Sequence, residues 1–143
     1  MIYVIPDRNI LVKGFLDHAS MYKEQSLQWK AQSFVPCPNI LDCFVEDEIG
    51  YLVMERIDGK SLYELYGSDP DTIPAPIWKQ IRSIVSKLYY KNIHYVDITP
   101  YNFLMDTAGT IHIIDFGDAY ECTVNWFLKD FLDGENAWNS DFA

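Results

Sequence analysis

The sequence predicts an α+β protein with two lobes, in which a reduced antiparallel sheet precedes a mostly helical part. Two observations support this fold class. The first half contains short β-prone runs that are separated by turn residues and interrupted by one amphipathic segment. The second half contains another segment of helical period, followed by two apolar runs around a tight turn. The chain has 143 residues, 49% of them hydrophobic, which fits one domain with a substantial core.

Composition and charge exclude several classes of ligand. Eleven Lys and Arg against 21 Asp and Glu give a net charge of −10, which repels phosphate backbones and anionic membrane surfaces. No apolar run approaches the ~20 residues that cross a bilayer, and the N-terminus lacks the pattern of a secretion signal. Cys37, Cys43 and Cys122 match no common zinc spacing and fit reduced thiols. We therefore expect an intracellular, cytoplasmic protein that binds neither nucleic acid nor a membrane.

The first predicted elements are a hairpin and a helix. Ile2 to Ile5 and Ile10 to Phe15 are β-prone runs, and the residues between them, Pro-Asp-Arg-Asn, favour a turn. Asp17 can then cap a helix over about residues 18–33. The sequence therefore predicts two antiparallel strands followed by one helix.

Two charged residues interrupt the apolar faces of this unit. Glu24 lies on the helix stripe and Lys13 lies inside the second strand. Because an unpaired buried charge costs several kcal/mol, we predict that Lys13 and Glu24 form an ion pair. The pattern leaves an alternative open, in which both side chains face solvent as ordinary surface charges. The other members of the stripe are Met21, Leu27, Ala31 and Phe34.

A second hairpin and a hinge complete the first lobe. Asn39 to Val45 and Tyr51 to Ile57 are β-prone runs around an acidic turn formed by residues 46–48 and Gly50. Asp58-Gly59 then ends the second strand. We place a hinge at residues 58–60, between an N-lobe of residues 1–57 and a C-lobe of residues 61–143, within a single domain.

The C-lobe is predicted to begin with two helices. Ser61 and Glu64 have the spacing of a capping box and start a short helix that Gly67 ends. Apolar residues at helical spacing then predict an amphipathic helix to about Lys91. These residues are Ile77, Ile81, Ile84, Val85 and Leu88.

The stretch HYVDITPYNFLMDTAGTIHIIDFGDAY, residues 94–120, contains polar residues among apolar ones. Its two strand-like runs, Phe103 to Met105 and Ile111 to Ile114, flank Asp-Thr-Ala-Gly and predict a tight hairpin. If residue 105 faces residue 112, then Asn102 faces Asp115 at the open end. A carboxylate and an amide oxygen that meet there, beside Gly117, would suit a hard divalent ion such as Mg2+.

Asp97 is predicted to overhang the same site. It lies five residues before Asn102, in a loop that Pro100 keeps out of a helix. This position would leave its carboxylate free to act as a base rather than as a metal ligand.

Two segments, HYVDITPYNFL and IIDFGDA, together resemble the catalytic loop and the metal-binding DFG motif of the protein kinase-like superfamily. The loop is more similar to those of aminoglycoside phosphotransferases and RIO kinases than to typical eukaryotic protein kinases, which carry Lys where this chain has Thr99. VPCPNILDCF and YLVMERIDGKSL are similar to the fourth and fifth strands and the hinge of aminoglycoside phosphotransferase-like proteins. The resemblance implies a two-lobed protein kinase-like fold in a minimal, truncated form.

The resemblance also implies a role for each site residue. Lys13 would hold the α- and β-phosphates of ATP, and Glu24 would hold Lys13. Asn102 and Asp115 would bind Mg2+, while Asp97 would accept the proton of an attacking hydroxyl. The expected function is ATP- and Mg-dependent phosphotransfer to a hydroxyl of a protein or a small molecule.

The adenine site is implied in the same way. Adenine would bond to backbone groups of Glu55 and Ile57, beneath Met54, with Leu104 on the other face of the ring. For Met54 and Leu104, plain core packing remains an alternative.

Departures from the family pattern support a second function. Only twelve residues precede Lys13 and they contain no glycine, so we expect no phosphate lid and slow turnover. Tyr95 and Val96 replace the usual residues before Asp97, and the 26 residues after Gly117 are too few for a large substrate-binding region. A pseudokinase that acts as a protein-binding or regulatory module is the alternative. The 22 aromatic residues also favour a homodimer or a protein partner.

Overall fold

The computed structural model describes residues 2–5, 8–122, 126–135 and 138. Its larger sheet has four antiparallel strands in the order β1-β2-β4-β3. One helix, α1 (His18–Ala31), packs against this sheet. The strands are β1 (Ile2–Ile5), β2 (Ile10–Phe15), β3 (Ile40–Glu46) and β4 (Ile49–Glu55).

The remaining described residues form helices and short strands. A three-stranded sheet has the order β5-β7-β8, and β6 pairs with β9. The fold is therefore α+β with an antiparallel N-lobe sheet, as the sequence predicts. In chain order the elements are β5 (Gly59–Ser61), α2 (Leu62–Tyr66), α3 (Ala75–Tyr90), β6 (Ile93–His94), β7 (Phe103–Asp106), β8 (Ile111–Ile113), β9 (Tyr120–Glu121) and α4 (Trp126–Leu132), with 3₁₀ turns at Pro70–Thr72 and Pro100–Asn102.

Helix α1 begins where the sequence places it. The Asp17 carboxylate accepts hydrogen bonds from the Ala19 amide at 3.0 Å and from the Ser20 hydroxyl at 2.7 Å. The first of these bonds satisfies a backbone donor that the first turn of a helix leaves unpaired. The helix ends at Ala31, two residues before the predicted end. The predicted stripe is buried as far as Ala31, and Glu24 is buried with it.

The hairpin between β3 and β4 is tighter than predicted. Only Asp47 and Glu48 form the turn, and both have positive φ, 50° and 68°. Two such residues form the turn type that matches the twist of a hairpin. Gly50 therefore lies in β4 rather than in the turn. A Cβ added at Gly50 would lie 2.6 Å from the Met21 sulfur, so the close approach of α1 explains this glycine.

The predicted hinge overlaps a strand. Gly59 and Lys60 belong to β5 and pair with Asp106 and Met105 of β7. The residues outside helix and strand between β4 and β5 are 56–58. The division into lobes at residues 58–60 stays a prediction.

The capping box at the start of α2 is present. The Ser61 hydroxyl accepts from the Glu64 amide at 3.1 Å, and the Glu64 carboxylate accepts from the Ser61 amide at 3.2 Å. Gly67 caps the other end with φ of 70°. Both predicted boundaries are therefore confirmed.

The predicted register of the β7–β8 hairpin is wrong by one residue. Met105 pairs with Ile111 rather than with residue 112. The Asn102 carbonyl accepts from the Ile114 amide at 2.9 Å, so Asn102 is opposite Ile114 and not Asp115. The cause is the loop between the strands.

That loop contains an odd number of residues. The Asp106 amide donates to the Thr110 carbonyl at 3.0 Å, which leaves three residues, 107–109, to make the turn. Gly109 takes φ of 84°, as the last residue of a three-residue hairpin loop requires. The predicted pairing of residue 105 with residue 112 implies an even number of loop residues, which shifts every pair by one.

The buried apolar residues form two clusters. The larger one surrounds α3 in the C-lobe and includes Trp78, Phe103 and Phe131. The smaller one lies beneath the N-lobe sheet and contains the buried residues Met21, Ile40, Leu52 and Met54. Within the described ranges, no helix combines the length and the apolar character that a bilayer crossing requires.

Candidate active site

Seven of the nine predicted site residues line one cavity. It has a volume of about 290 Å³ and lies between the N-lobe sheet, α1 and the β7–β8 hairpin. A larger surface groove of about 380 Å³, beside Trp29 and Phe34, has no carboxylate in its lining. The lining therefore identifies the smaller cavity as the candidate site. The seven residues are Lys13, Glu24, Met54, Glu55, Ile57, Leu104 and Asp115.

Lys13 and Glu24 form the predicted ion pair. Lys13 Nζ lies 2.8 Å from Glu24 Oε1, and the Glu24 side chain is only 2% exposed. The alternative, in which both residues are ordinary surface charges, is therefore wrong. Lys13 Nζ also lies 3.5 Å from Asp115 Oδ1. One ammonium group thus contacts acids from α1 and from the end of the β7–β8 hairpin.

Burial and pairing act in opposite directions on this ion pair. Burial alone would lower the pKa of Lys13, but the hydrogen bond and charge of Glu24, with the charge of Asp115, outweigh burial and raise it. Burial raises the pKa of Glu24 more than Lys13 lowers it. Lys13 is therefore a permanent cation near neutral pH. Among the described residues, nothing donates a hydrogen bond to Glu24 Oε2, which is buried.

Asn102 fixes the backbone of the predicted base. Its Nδ2 donates to the Asp97 carbonyl at 2.8 Å, and its backbone amide donates to the Thr99 carbonyl at 3.1 Å. Residues 100–102 form a 3₁₀ turn with Pro100 at its start, where the sequence predicted no helix. Asp97 and Asn102 are the two predicted site residues that do not line the cavity. Asp97 is exposed, so its carboxylate is accessible to a ligand.

The conformation of Asp115 is unusual. Its φ is 63°, in the left-handed region that non-glycine residues rarely adopt. Asp115 Oδ1 accepts from the Gly117 amide at 3.1 Å. A Cβ added at Gly117 would lie 3.1 Å from Asp115 Oδ1 and 3.4 Å from Lys13 Nζ. A glycine at this position therefore gives both charged groups room.

Tyr95 holds the backbone next to Asp115, a role that the sequence did not indicate. Its hydroxyl donates to the carbonyl of Ile114, the residue before Asp115. Its ring packs edge-to-face on Phe116, with centroids 5.4 Å apart. Burial, together with nearby carboxylates, raises the pKa of Tyr95, so the hydroxyl stays protonated and can donate. Tyr95 thus ties the residue before Asp115 to the segment that precedes Asp97.

Gln28 is a second site residue that the sequence did not indicate. It is 1% exposed and lines the cavity. Its Nε2 donates to the Pro38 carbonyl at 2.8 Å and lies 3.6 Å from the Met54 sulfur. The available signal was its spacing, since Gln28 lies four residues after Glu24 on the same helix face.

The donor types of Asn102 and Asp115 are those that a hard cation takes when it is shared with a ligand, although Asn102 is opposite Ile114 and does not line the cavity. Asn102 and Asp115 offer an amide oxygen and a carboxylate, and Nδ2 of Asn102 is already engaged, which directs its oxygen away from Asp97. Within the described residues, no group of three or more His, Cys, Asp or Glu could enclose a metal. Mg2+ commonly takes one or two protein oxygens and completes its shell with phosphate oxygens and water.

Comparison with known proteins identifies the class of protein. Residues 16–133 match the family model of the protein kinase domain. This match covers most of the chain and includes Glu24, Asp97, Asn102 and Asp115, although it begins after Lys13. The chain therefore belongs to the protein kinase domain family.

Individual relatives agree with this assignment. The chain is 37% identical to calcium-dependent protein kinase 5 of Plasmodium falciparum over 131 residues, which cover 87% of the chain and 20% of that protein. It is 29% identical to the serine/threonine-protein kinase PrkC of Bacillus subtilis over 126 residues, 81% of the chain and 19% of that protein. The chain thus spans about one fifth of the length of these relatives.

Proposed function

We propose that this chain transfers the γ-phosphoryl group of Mg2+-bound ATP to a hydroxyl group of a protein. The observation that carries the proposal is the position of Lys13, 2.8 Å from Glu24 and 3.5 Å from Asp115 at the edge of one cavity. A cation fixed between two acids, one buried and one exposed, is suited to hold phosphate oxygens beside a metal-binding carboxylate.

The cavity suits the nucleoside part of ATP. Ligand pockets usually measure about 300–1,000 Å³, and this cavity, at about 290 Å³, lies at the lower end. We infer that adenine and ribose occupy it, between Met54 and Leu104 and against the backbone of residues 55–57. The phosphates would then extend past Lys13 toward Asp115, whose side chain is 54% exposed.

Each polar residue has one task in the proposed transfer. The acceptor oxygen attacks the γ-phosphorus, the bond from that phosphorus to the β–γ bridging oxygen breaks, and ADP leaves with that oxygen. Asp97 takes the proton of the acceptor hydroxyl. Lys13 holds the α- and β-phosphates while Glu24 holds Lys13. Mg2+, held by Asn102 and Asp115, would neutralise the charge that develops on the phosphate oxygens.

A protein acceptor is favoured by the relatives that the chain matches. Calcium-dependent protein kinase 5 and PrkC are both named as protein kinases, and PrkC is named as a serine/threonine-protein kinase. The similarity of the catalytic loop to aminoglycoside phosphotransferases and RIO kinases stays a prediction. Similarity to aminoglycoside phosphotransferases would favour a small-molecule acceptor instead, and a kinase assay that compares protein and small-molecule acceptors distinguishes the two.

The experiment measures nucleotide binding and transfer separately. We expect Mg-ATP to raise the melting temperature of the wild-type chain, and Asp115→Ala to remove this shift. We expect radiolabel from the γ-phosphate on a mixed protein substrate, and Asp97→Asn to remove the label but not the thermal shift. A thermal shift without label in the wild type would favour the pseudokinase alternative. The absence of both the thermal shift and the label in the wild type would contradict the proposed function altogether.

A further inference from the structure

Two exposed tyrosine rings stack on each other, and one of them lies in the loop that carries Asp97. Tyr63 belongs to α2, and Tyr101 belongs to the 3₁₀ turn that follows Asp97. The ring centroids are 4.2 Å apart and the ring planes differ by 25°. Tyr63 is 41% exposed and Tyr101 is 54% exposed. The pair therefore presents ring surface to solvent rather than to a core.

The stack is held rigidly relative to Asp97. Asn102, the residue after Tyr101, donates from its side chain to the Asp97 carbonyl at 2.8 Å. Tyr63 is fixed through α2, whose first turn is closed by the capping box of Ser61 and Glu64. A hydrogen bond with Tyr63 raises the pKa of Tyr101, so the Tyr101 hydroxyl stays protonated. Rigid aromatic surface binds with little loss of conformational entropy.

The stack lies within reach of any acceptor that uses Asp97. Tyr101 is four residues after Asp97, and consecutive Cα atoms are about 3.8 Å apart, so the two Cα atoms are at most about 15 Å apart. An extended peptide spans this distance with about five residues. A side chain within about four residues of the phosphorylated hydroxyl can therefore contact the tyrosines.

Charge determines which side chain the stack would select. The face of a tyrosine ring attracts a cation that lies within about 6 Å of its centroid. The chain carries a net charge of −10. Asp97, four residues before Tyr101, and Asp115 are exposed acids of the candidate site. Such a field raises the local concentration of cations.

We propose that the Tyr63–Tyr101 stack binds an arginine or lysine side chain of a protein acceptor, close in sequence to the hydroxyl that is phosphorylated. The inference rests on the proposed function for the transfer itself. It assigns acceptor selection to an aromatic pair within the chain, and binding of the cation can be measured without any transfer.

The test uses pairs of serine peptides that differ in one charge. In each pair one peptide has arginine and its twin has citrulline, which is neutral and nearly the same shape, and the arginine is moved through four positions on either side of the serine. Fluorescence anisotropy with the full chain gives the dissociation constants. At one position or more, we expect the arginine peptide to bind about three- to thirty-fold more tightly than its twin, the range that cation–π contacts give.

Three variants identify the residues responsible. Tyr101→Leu should remove the preference for arginine, whereas Tyr101→Phe should keep it because phenylalanine retains the charge distribution of the ring. Tyr90→Leu is the matched control, since Tyr90 is 78% exposed at the end of α3, outside the stack, and its removal should not change the preference. If Tyr101→Leu does not fold, Tyr63→Leu removes the other ring from outside the catalytic loop and makes the same test.

The outcomes separate this inference from the proposed function. Equal binding of twins at every position, no measurable binding of any arginine peptide, or a preference that survives Tyr101→Leu would overturn the inference. A preference without phosphate transfer would support the stack as a binding site and contradict the proposed function. Transfer without a preference would contradict the stack alone.

Discussion

The two lobes hold their functional side chains in different ways. In the N-lobe, Lys13 and the buried Glu24 form a partly buried pair near a small cluster of buried apolar residues. In the C-lobe, Asp97 and Asp115 are exposed side chains on a backbone that is packed on the much larger cluster around α3. Function and stability should therefore be coupled in the N-lobe and separable in the C-lobe.

The largest effect is expected for Asp97→Asn, which removes the base and keeps the shape. Loss of a general base costs about 10²- to 10⁴-fold in rate, so transfer should fall by that factor. Because Asp97 is exposed, we expect the free energy of unfolding in urea to change by less than about 0.5 kcal/mol. A large loss of stability in this variant would contradict the separation that the comparison predicts for the C-lobe.

In the N-lobe, Glu24→Ala should lower both the free energy of unfolding and the affinity for Mg-ATP. The change leaves the Lys13 ammonium partly buried without its main partner, which typically costs about 3–5 kcal/mol for a fully buried pair. Since Lys13 remains 22% exposed, we expect a loss near the lower end, about 3 kcal/mol, in urea unfolding. Binding of Mg-ATP should weaken in the same variant.

An exposed ion pair provides the matched control for Glu24→Ala. Lys129 in α4 forms an ion pair with Asp133, which lies four residues later, just past the end of the helix. Both side chains are about half exposed. Because exposed pairs contribute little, Asp133→Ala should leave the urea midpoint nearly unchanged. Equal losses from Glu24→Ala and Asp133→Ala would show that burial of the N-lobe pair has no energetic consequence.

The pairing of β5 with β7 should be sensitive to one added methyl group at Gly59. A Cβ added at Gly59 would lie 2.3 Å from the Met105 carbonyl oxygen, and a backbone atom cannot yield as a flexible side chain does. Overpacking of this kind costs about 1–3 kcal/mol, which we expect for Gly59→Ala in urea unfolding. Lys60→Ala, at the exposed neighbour in β5, is the control and should change stability by less than about 0.5 kcal/mol.

Sequence periodicity predicted the parts of the fold that are determined locally. The helices α1 and α3, the two N-lobe hairpins and the capping box at Ser61 all follow from spacing and turn chemistry within a few residues. The pairing of Lys13 with Glu24 also followed, because each residue was anomalous in its own element. A buried charge in an apolar pattern requires a partner, and the sequence offered one.

Features that depend on tertiary contacts could not be predicted in this way. Gly50 was placed in a turn because the approach of Met21 to β4 is invisible in the sequence. Tyr95 gained a role only through the Ile114 carbonyl, nineteen residues away. The β7–β8 register was wrong because the turn residues Asp-Thr-Ala-Gly do not reveal whether the loop has an odd or an even number of residues, and the structure has a three-residue loop in which Gly109 takes a left-handed φ.

The smallest effect is expected at that same C-lobe hairpin, where it depends on pH. The hydrogen bond from His112, 2.8 Å from Asp106, lowers the pKa of Asp106 below its ordinary 3.8. An acid whose pKa is lower in the folded state contributes stability above its unfolded pKa, and this contribution is lost as the pH falls through the folded pKa. Wild type should therefore be slightly more stable than Asp106→Asn near neutral pH, and the difference should shrink below pH 3.8.

Glu24 should behave in the opposite way, which ties this prediction to the contrast between the lobes. Burial raises its pKa above the ordinary 4.5, so the folded state takes up a proton at a higher pH than the unfolded chain. As the pH falls through the folded pKa, Glu24 loses its charge, the cost of burying that charge disappears, and this group's contribution to the free energy of unfolding rises. Urea unfolding of wild type, Asp106→Asn and Glu24→Gln at a series of pH values measures both effects. The contrast fails if the two substitutions change the pH profile with the same sign, because one acid is stabilised as an anion and the other is stabilised when protonated.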